Sequence, residues 1–442
     1  MNFILGNTLK IKGIKRATTE KIRTLLTLPN PAYQEAVKRV RWTGNLKPEL
    51  RFYEEIGEVL VCPRGAARRI YCLCRQRGEK IEIIDRRRTL EPVEFTFNGT
   101  LRPYQQEAVD AVLRCDDGVL EAPTGGGKTV MANAAIAARK QPTLILVHTK
   151  ELLYQWCDRI LSFLGIEAGI IGDGKFDIRP VTVGMVQTTR KYLDTLSLHF
   201  GQVIVDECHR TPATTFTDCV EGFDARYLLG LSATPFRRDG LTRPIYFYLG
   251  DRVYQVDSKH LQRIGAVLRP EIVTVETDFN YDYSDDYAAM LTALTENKGR
   301  NQLIIQTLKS QQNGGVALVV SDRIAHLKAL ANDISGDGIA ILTGQTPPGE
   351  RKRIVDDLAA GKIKVLFSTL SLIGEGFDQA GLHDLFIVSP IKFQGRLTQV
   401  VGRILRPQDG KQPRVFDFVD VHQPVLKAQA KARKNVYCRL TK

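Results

Sequence analysis

The chain has 442 residues, 43% of them hydrophobic, which suffices for two to four cored domains. No run of about 18 uninterrupted apolar residues occurs, which excludes a membrane-spanning helix, and the opening MNFILGNTLKIKGIKR gains charge too quickly for a secretory leader. The net charge of +13 is uneven: residues 1–97 hold 20 Lys/Arg against 11 Asp/Glu, residues 421–442 hold six basic residues and no acid, and the body between is near neutral; a polyanionic partner, with nucleic acid the commonest, is expected.

In chain order, residues 1–97 read as a small, basic α+β domain. The stretch NPAYQEAVKRVR (30–41) opens a helix, with Asn30 as N-cap and Pro31 at the first helical position. EIGEVLVCP (55–63), RIYCLCRQ (69–76) and KIEIID (80–85) read as strands. Trp42 and Phe52 are expected in the domain core, with base stacking as the alternative role. Cys62, Cys72 and Cys74 lack a C-x2-C pair, and no His lies in the first 97 residues, so zinc is not expected. Eight scattered Cys fit a reducing cytoplasm rather than a disulfide framework.

Residues 98–275 alternate short apolar runs with helical segments: GVLEAP (118–123), TLILVH (143–148), VTVGMVQT (181–188), QVIVDE (202–207) and YLLGLSAT (227–234). Continuously apolar runs suit strands buried on both faces, hence a parallel sheet with crossover helices. An acid-rich stretch, TDFNYDYSDDY, places an exposed linker at 276–300. A second set of runs, GVALVVSD (315–322), IAILTG (339–344), IKVLFST (363–369), DLFIVSP (384–390) and RVFDFVD (414–420), places a second α/β unit at 301–425, followed by a basic tail at 426–442. The fold class is therefore α/β, with two tandem parallel-sheet domains behind a small N-terminal α+β domain.

Two motifs carry chemistry. APTGGGKT (122–129) follows a strand and precedes a helix. Its glycines let backbone N–H groups curl around phosphate oxygens. Lys128 reaches the outer phosphates and Thr129 offers its hydroxyl to Mg²⁺. Ala122 stands where the usual pattern has its first Gly. VIVDE (203–207) is an apolar strand ending in two carboxylates at the sheet edge where ligands bind. Asp206 is expected to hold Mg²⁺ and Glu207 to deprotonate the attacking water. The four polar residues of DECH do not suit one transition metal, because adjacent residues cannot all face one ion, and Cys208 is left as packing.

With APTGGGKT, DECH and LSATP in this order, the chain resembles the superfamily-two helicases of the DExH type. LRPYQQEA (101–108) resembles the adenine-reading Q-motif, LVHTKELLYQW (146–156) motif Ia, VGMVQT (183–188) motif Ib/Ic, LVVSD (318–322) motif IV, FSTLSLIGEGFD (367–378) motif V and QVVGRILRP (399–407) motif VI. The resemblance spans about 98–420 and implies two RecA-like domains. DECH and the ending GRILRP point to DNA rather than RNA. ATPFRRDG (233–240) is similar to a segment of XPB-like helicases, with Arg238 in place of its Glu, and the compact, basic-headed layout resembles phage UvsW-type branch-migration helicases.

The resemblance implies ATP and Mg²⁺ as cofactors. ATP would sit between the two sheets. Arg102, Tyr104 and Gln105 would read the base. Pro123, Thr124, Gly125, Gly126, Gly127, Lys128 and Thr129 would cradle the phosphates, with Gly376 and Asp378 closing the site. Asp206, Glu207, Lys128, Gln399, Arg403 and Arg406 would perform the chemistry, the two arginines as fingers. His209, Ser232 and Thr234 would couple hydrolysis to movement. Thr149, Gln187, Thr188, Ser321 and Thr369 would grip nucleic-acid phosphates without reading bases.

The expected activity is an ATP-dependent DNA helicase or translocase that unwinds or branch-migrates duplex, forked or branched DNA in replication, recombination or repair. It is expected to be monomeric and cytoplasmic. The alternatives are an RNA helicase and the motor subunit of a restriction or defence complex. Arg68, Arg69, Arg75 and Arg77, with DRRR at 85–88, make the N-terminal domain the expected grip on duplex DNA, and KAQAKARKNVYCRLTK (427–442) a second phosphate-contacting segment.

Overall fold

The computed structural model describes residues 1–209, 213–233, 241–310, 315–334, 336–374, 381–391 and 394–441. They form two compact units, 1–123 with 127–256, and 257–442, with 124–126 grouped with the second.

The first unit begins with a five-stranded sheet in the spatial order Glu54–Ile56, Val59–Pro63, Thr8–Lys12, Asn2–Leu5, Glu82–Asp85. Its pairs are antiparallel except for the parallel Asn2–Leu5 and Glu82–Asp85. Helices Arg16–Leu25 and Ala67–Gln76 supply Ile22, Ile70 and Cys74 to a core shared with Phe3, Leu9 and Ile11. RIYCLCRQ, expected as a strand, is therefore a helix. Its buried residues Ile70 and Cys74 are four apart, one face of a 3.6-residue period, and the alternation of Tyr71, Cys72 and Leu73 misleads. Burial pushes the Cys62 thiol up to about 12 and the Cys74 thiol to about 11, as for packed, unreactive groups.

This domain is built into its neighbour. Phe247 belongs to its core cluster, and Phe52 packs on Phe247 at 5.6 Å between ring centroids. Arg64 is buried, donating to Asp117 at 2.7 Å and to the Ala225 carbonyl at 2.6 Å. Arg87 pairs with Asp85 and Asp116, and Arg88 with Asp224. Arg69 pairs with Asp251. A Cβ on Gly65 would lie 2.3 Å from the Gly250 nitrogen, so the two backbones meet where only glycine fits. Three of the arginines expected to face DNA, Arg69, Arg87 and Arg88, thus pair with acids of the protein itself, as does Arg64.

The α/β part of this unit is an eight-stranded sheet in the order Lys175–Phe176, Gly169–Gly172, Val181–Met185, Thr143–Val147, Gln202–Val205, Tyr227–Ser232, Asp117–Glu121, Arg252–Gln255. Every pair is parallel except the first. Thr143–Val147 and Gln202–Val205 are buried throughout, as strands covered on both faces must be. Parallel pairing brings the C-terminal ends of the strands Asp117–Glu121, Gln202–Val205 and Tyr227–Ser232 to one edge.

The second unit is a six-stranded, wholly parallel sheet in the order Glu271–Thr277, Arg414–Asp420, Leu382–Ile387, Val316–Ser321, Val365–Thr369, Ile339–Leu342. The strand Glu271–Thr277, expected at the end of the first α/β unit, pairs here along its full length with Arg414–Asp420. The acid-rich stretch after it is a strap rather than a free linker. Phe279 is buried with Met290, Leu294 and Leu426, Tyr281 and Tyr283 pack on the same cluster, and Asp278 and Asp282 alternate outward. Nor is the C-terminal stretch a loose tail: Pro424–Thr441 is one helix that buries Leu426, Ala430, Val436 and Tyr437. Within it Arg433 is buried against Asp417, at 2.8 Å.

Candidate functional site

The strand Asp117–Glu121 delivers the loop 122–127 to the helix Lys128–Arg139. Its last residue, Glu121, is buried beneath the loop and accepts from Tyr246 at 2.7 Å and from Arg252 at 3.2 Å. Nothing in the sequence singled out that support. Ala122 donates its N–H to the Ser232 carbonyl of the neighbouring strand. Gly125 and Gly127 both have φ of +83°, which bends the loop tightly. A Cβ on Gly127 would lie 2.3 Å from Gln105 Nε2. Gln105 is buried, and its Oε1 accepts from the Arg102 N–H at 2.9 Å while its amide meets the Tyr104 hydroxyl at 3.3 Å. Its amide therefore lies packed beneath the phosphate loop.

Lys128 Nζ donates to the Ala122 carbonyl at 3.2 Å and stands 3.9 Å from Glu207 Oε1. Thr129 is the second residue of the same helix. Asp206 follows the strand Gln202–Val205 and is buried. Its carboxylate accepts from the Trp156 indole at 2.9 Å and from the Glu207 N–H at 2.8 Å. Burial and the adjacent Glu207 carboxylate push its pKa up, against the pull of Lys128 and the Trp156 bond. A buried carboxylate raised by a second one beside it fits a divalent cation, which would replace the proton. Glu207 sits at φ +46°, a left-handed conformation that costs a non-glycine residue about 1–2 kcal/mol. Strain of this kind gathers at functional positions. Trp156, the last residue of LVHTKELLYQW and without an expected role there, is the buried anchor of Asp206.

His209 Nδ1 lies 2.8 Å from Ser232 Oγ and 3.4 Å from Glu207 Oε2, so these three form one chain from the acid to the next strand. Cys208 turns away into the core with Leu249 and Val119, and burial raises its thiol strongly. The structure thus separates the four polar residues of DECH. Thr234, Gly376 and Asp378 lie outside the described residues.

In the second unit, Gln399 and Arg403 stand one turn apart on the helix Gln394–Ile404. Gln399 is buried, and Arg403 Nε donates to the Ile373 carbonyl at 3.1 Å. Arg406 follows the helix end and lies near Lys411, whose own pKa burial and that guanidinium lower to about 8. The five phosphate-contact candidates differ in exposure. Gln187 is exposed and Thr188 half-buried. Thr149 caps the helix Lys150–Leu164, accepting from the Leu152 N–H. Thr369 is buried at the end of its strand. Ser321 is fully buried, engaged with His326 Nδ1 at 3.1 Å and accepting from the Arg323 N–H.

Residues 98–237 match the family of type III restriction enzyme res subunits, and residues 299–408 match the helicase conserved C-terminal domain. The probable helicase D10 of Escherichia phage T5 is 30% identical over 367 residues, covering 82% of this chain and 80% of its own. This chain belongs to the superfamily-two helicases. The helicase is accordingly an ATP-hydrolysing enzyme that acts on nucleic acid. It is also 31% identical over 327 residues to the protein of Kineococcus radiotolerans named DNA 3'-5' helicase XPB, covering 70% of this chain and 57% of that one. Among solved structures, a fragment of a putative HsdR subunit of a type I restriction enzyme from Vibrio vulnificus aligns with a TM-score of 0.59 at 19% identity, covering 77% of the helicase and 66% of the fragment. That likeness is one of fold: two tandem RecA-like domains, as the sequence led one to expect. The crystal structure of T4 UvsW aligns along 99% of the helicase and 97% of its own chain, at 20% identity and a TM-score of 0.46. Among the described residues no helix is long and apolar enough to cross a membrane.

Proposed function

We propose that the helicase uses ATP to unwind or branch-migrate duplex, forked or branched DNA. The observation that carries the chemistry is the left-handed Glu207, set 3.9 Å from Lys128 and beside an Asp206 locked by Trp156. Glu207 orients a water and accepts its proton as the water oxygen bonds to the γ-phosphorus and the bridging bond to ADP breaks. Lys128 leaves its Ala122 carbonyl to hold the outer phosphate oxygens. Asp206 and the Thr129 hydroxyl would hold Mg²⁺, which when bound supplies charge neutralisation on those oxygens. Gln399, Arg403 and Arg406 add positive charge from the second domain, and Gly376 and Asp378 complete the site. Gln105, with Arg102 and Tyr104, supports the loop from below and borders the base. His209, Ser232 and Thr234 pass the state of the phosphate on. Thr149, Gln187, Thr188, Ser321 and Thr369 form the phosphate-gripping set, and the buried hydroxyls of Ser321 and Thr369 require a local opening to join it.

DNA is favoured as substrate because the XPB relative is named a DNA helicase, and because the basic charge gathers at the two ends of the chain. That relative is also named for 3'-5' movement, a direction we extend to this chain. The test is ATP hydrolysis with single-stranded, duplex, forked and four-way DNA and with RNA. The expected result is stimulation by DNA, greatest with branched forms, and a loss of about 100-fold or more in Lys128→Ala. Equal stimulation by RNA and branched DNA would overturn the DNA assignment.

A further inference from the structure

Residues 31–47 leave the N-terminal domain as an arm. Its neck is closed by Asn30, whose N–H donates to the Pro48 carbonyl at 2.8 Å and whose Nδ2 donates to the Lys47 carbonyl at 2.7 Å. Below the neck, Thr27–Pro29 pairs antiparallel with Glu49–Arg51. The arm's helix, Pro31–Lys38, buries none of its residues. It ends with Arg41 N–H bonded to the Ala36 carbonyl and Val40 at φ +52°, the left-handed helix stop usually given to glycine. Trp42, expected in the core, is 92% exposed, its ring lying over Gly44. Val37, Val40 and Leu46 of the same arm are exposed as well. Residues 36–48 contain Lys38, Arg39, Arg41 and Lys47 and no acid. Arg39 pairs with Glu35, while Lys38, Arg41 and Lys47 are exposed.

An indole left in water beside three exposed cations has a specific complement. The cations suit phosphates, and the indole suits the π-face of a base. Bases inside a duplex are already covered on both faces. A bare, fixed face exists on the terminal pair where a duplex opens. We propose that this arm is a strand-separating element, with Trp42 stacking on the terminal base pair of a single-strand/duplex junction and Lys38, Arg41 and Lys47 holding the flanking phosphates. The assignment rests on the DNA-helicase reading above and adds the place where strands part.

The chain has two tryptophans, and Trp156 is buried. The emission difference between the wild-type chain and Trp42→Phe therefore reports Trp42. Forked DNA is expected to quench that emission, and an unstructured single strand to quench it far less. Base pairs opened per ATP hydrolysed should fall about tenfold in Trp42→Ala and recover most of the way in Trp42→Phe, which keeps a stacking face. In Lys38→Glu/Arg41→Glu/Lys47→Glu the salt dependence of fork binding should flatten by roughly two to three in log–log slope. Because the side chain is exposed, the Trp42→Ala melting temperature should match wild type, and a lower one shifts the reading to quenching alone. Absent quenching, equal quenching by a single strand, or unchanged base pairs per ATP in Trp42→Ala would each overturn the proposal. Failure of any DNA to stimulate wild-type ATP hydrolysis would overturn the helicase reading instead. DNA stimulation without quenching overturns only the arm.

Discussion

Asp206, Glu207, Cys208 and His209 are adjacent in the chain and face four different surroundings. Asp206 is locked by Trp156, Glu207 faces Lys128, and His209 joins Ser232. Cys208 is 1% exposed and fills the space beside Leu249. Replacing it by Ala should cost about 1 kcal/mol of stability through the small cavity left behind and leave ATP hydrolysis within about twofold of wild type. Glu207→Gln, by contrast, should lower hydrolysis by about 100-fold or more, since it removes the proton acceptor. A urea titration and a steady-state phosphate-release assay on both variants check this pair of outcomes. Activity lost in Cys208→Ala to the same degree as in Glu207→Gln would restore a chemical role to the thiol. The apolar run that ends in two carboxylates made Asp206 and Glu207 legible in advance, because a buried strand must end in polar groups at the sheet edge. Trp156 was not legible, because its meeting with Asp206 joins residues 50 apart through the packing of a helix on a sheet.

At the level of elements, the strand Val316–Ser321 is tied to the helix Lys298–Ser310 by a buried chain of side chains. Ser321 meets His326 Nδ1, His326 Nε2 meets Asn301 Oδ1 at 3.0 Å, and Asn301 Nδ2 donates to the Thr295 carbonyl. Beside it Arg300 is buried against Asp420 and donates to the Val388 carbonyl. Burial, with a smaller push from Arg300, lowers the His326 pKa to about 3. A histidine kept neutral in the fold takes up its proton more readily when unfolded. Stability from this group is thus complete above its unfolded pKa of about 6.5 and is lost as pH falls toward 3, at up to about 1.4 kcal/mol per pH unit. Between pH 7 and 5 the loss is about 2 kcal/mol, and His326→Gln should flatten the acid limb by that amount in urea midpoints measured across the range. Parallel curves for the two proteins would mean that the imidazole titrates normally. The strands themselves could be read from their apolar runs, whereas the helix Ala67–Gln76 could not, because ten residues with both alternating and fourfold spacing satisfy either period until a core chooses between them.

For the whole molecule, the basic N-terminal domain is not a detachable DNA-binding head. Phe247 lies in its core, Arg64 is buried on Asp117, and Gly65 meets Gly250. Removing residues 1–97 would uncover Phe247 and Tyr248 and leave Asp117, a half-buried carboxylate, without Arg64, its main partner. The truncated chain should melt roughly 10 °C below the full chain, the shift that a loss of several kcal/mol produces in a domain of this size. Differential scanning calorimetry measures this, and equal melting temperatures would show the domain to be autonomous after all. Truncation would therefore confound DNA binding with folding, and the charge-reversed arm isolates the DNA contribution.

By itself the sequence determined two parallel α/β sheets, a phosphate loop between strand and helix, and two carboxylates at a strand end. These features follow from local rules, since burial on both faces demands apolar runs and a phosphate cradle demands glycines. Tertiary structure alone decided which charges remain outward. Arg64, Arg69, Arg87 and Arg88 turn onto acids of the adjoining α/β domain, the acid-rich strap buries its aromatics, and Trp42 stays in solvent on an arm. The reason is that burial depends on what else reaches a residue. That is a sum over distant segments, and composition and local pattern do not contain it.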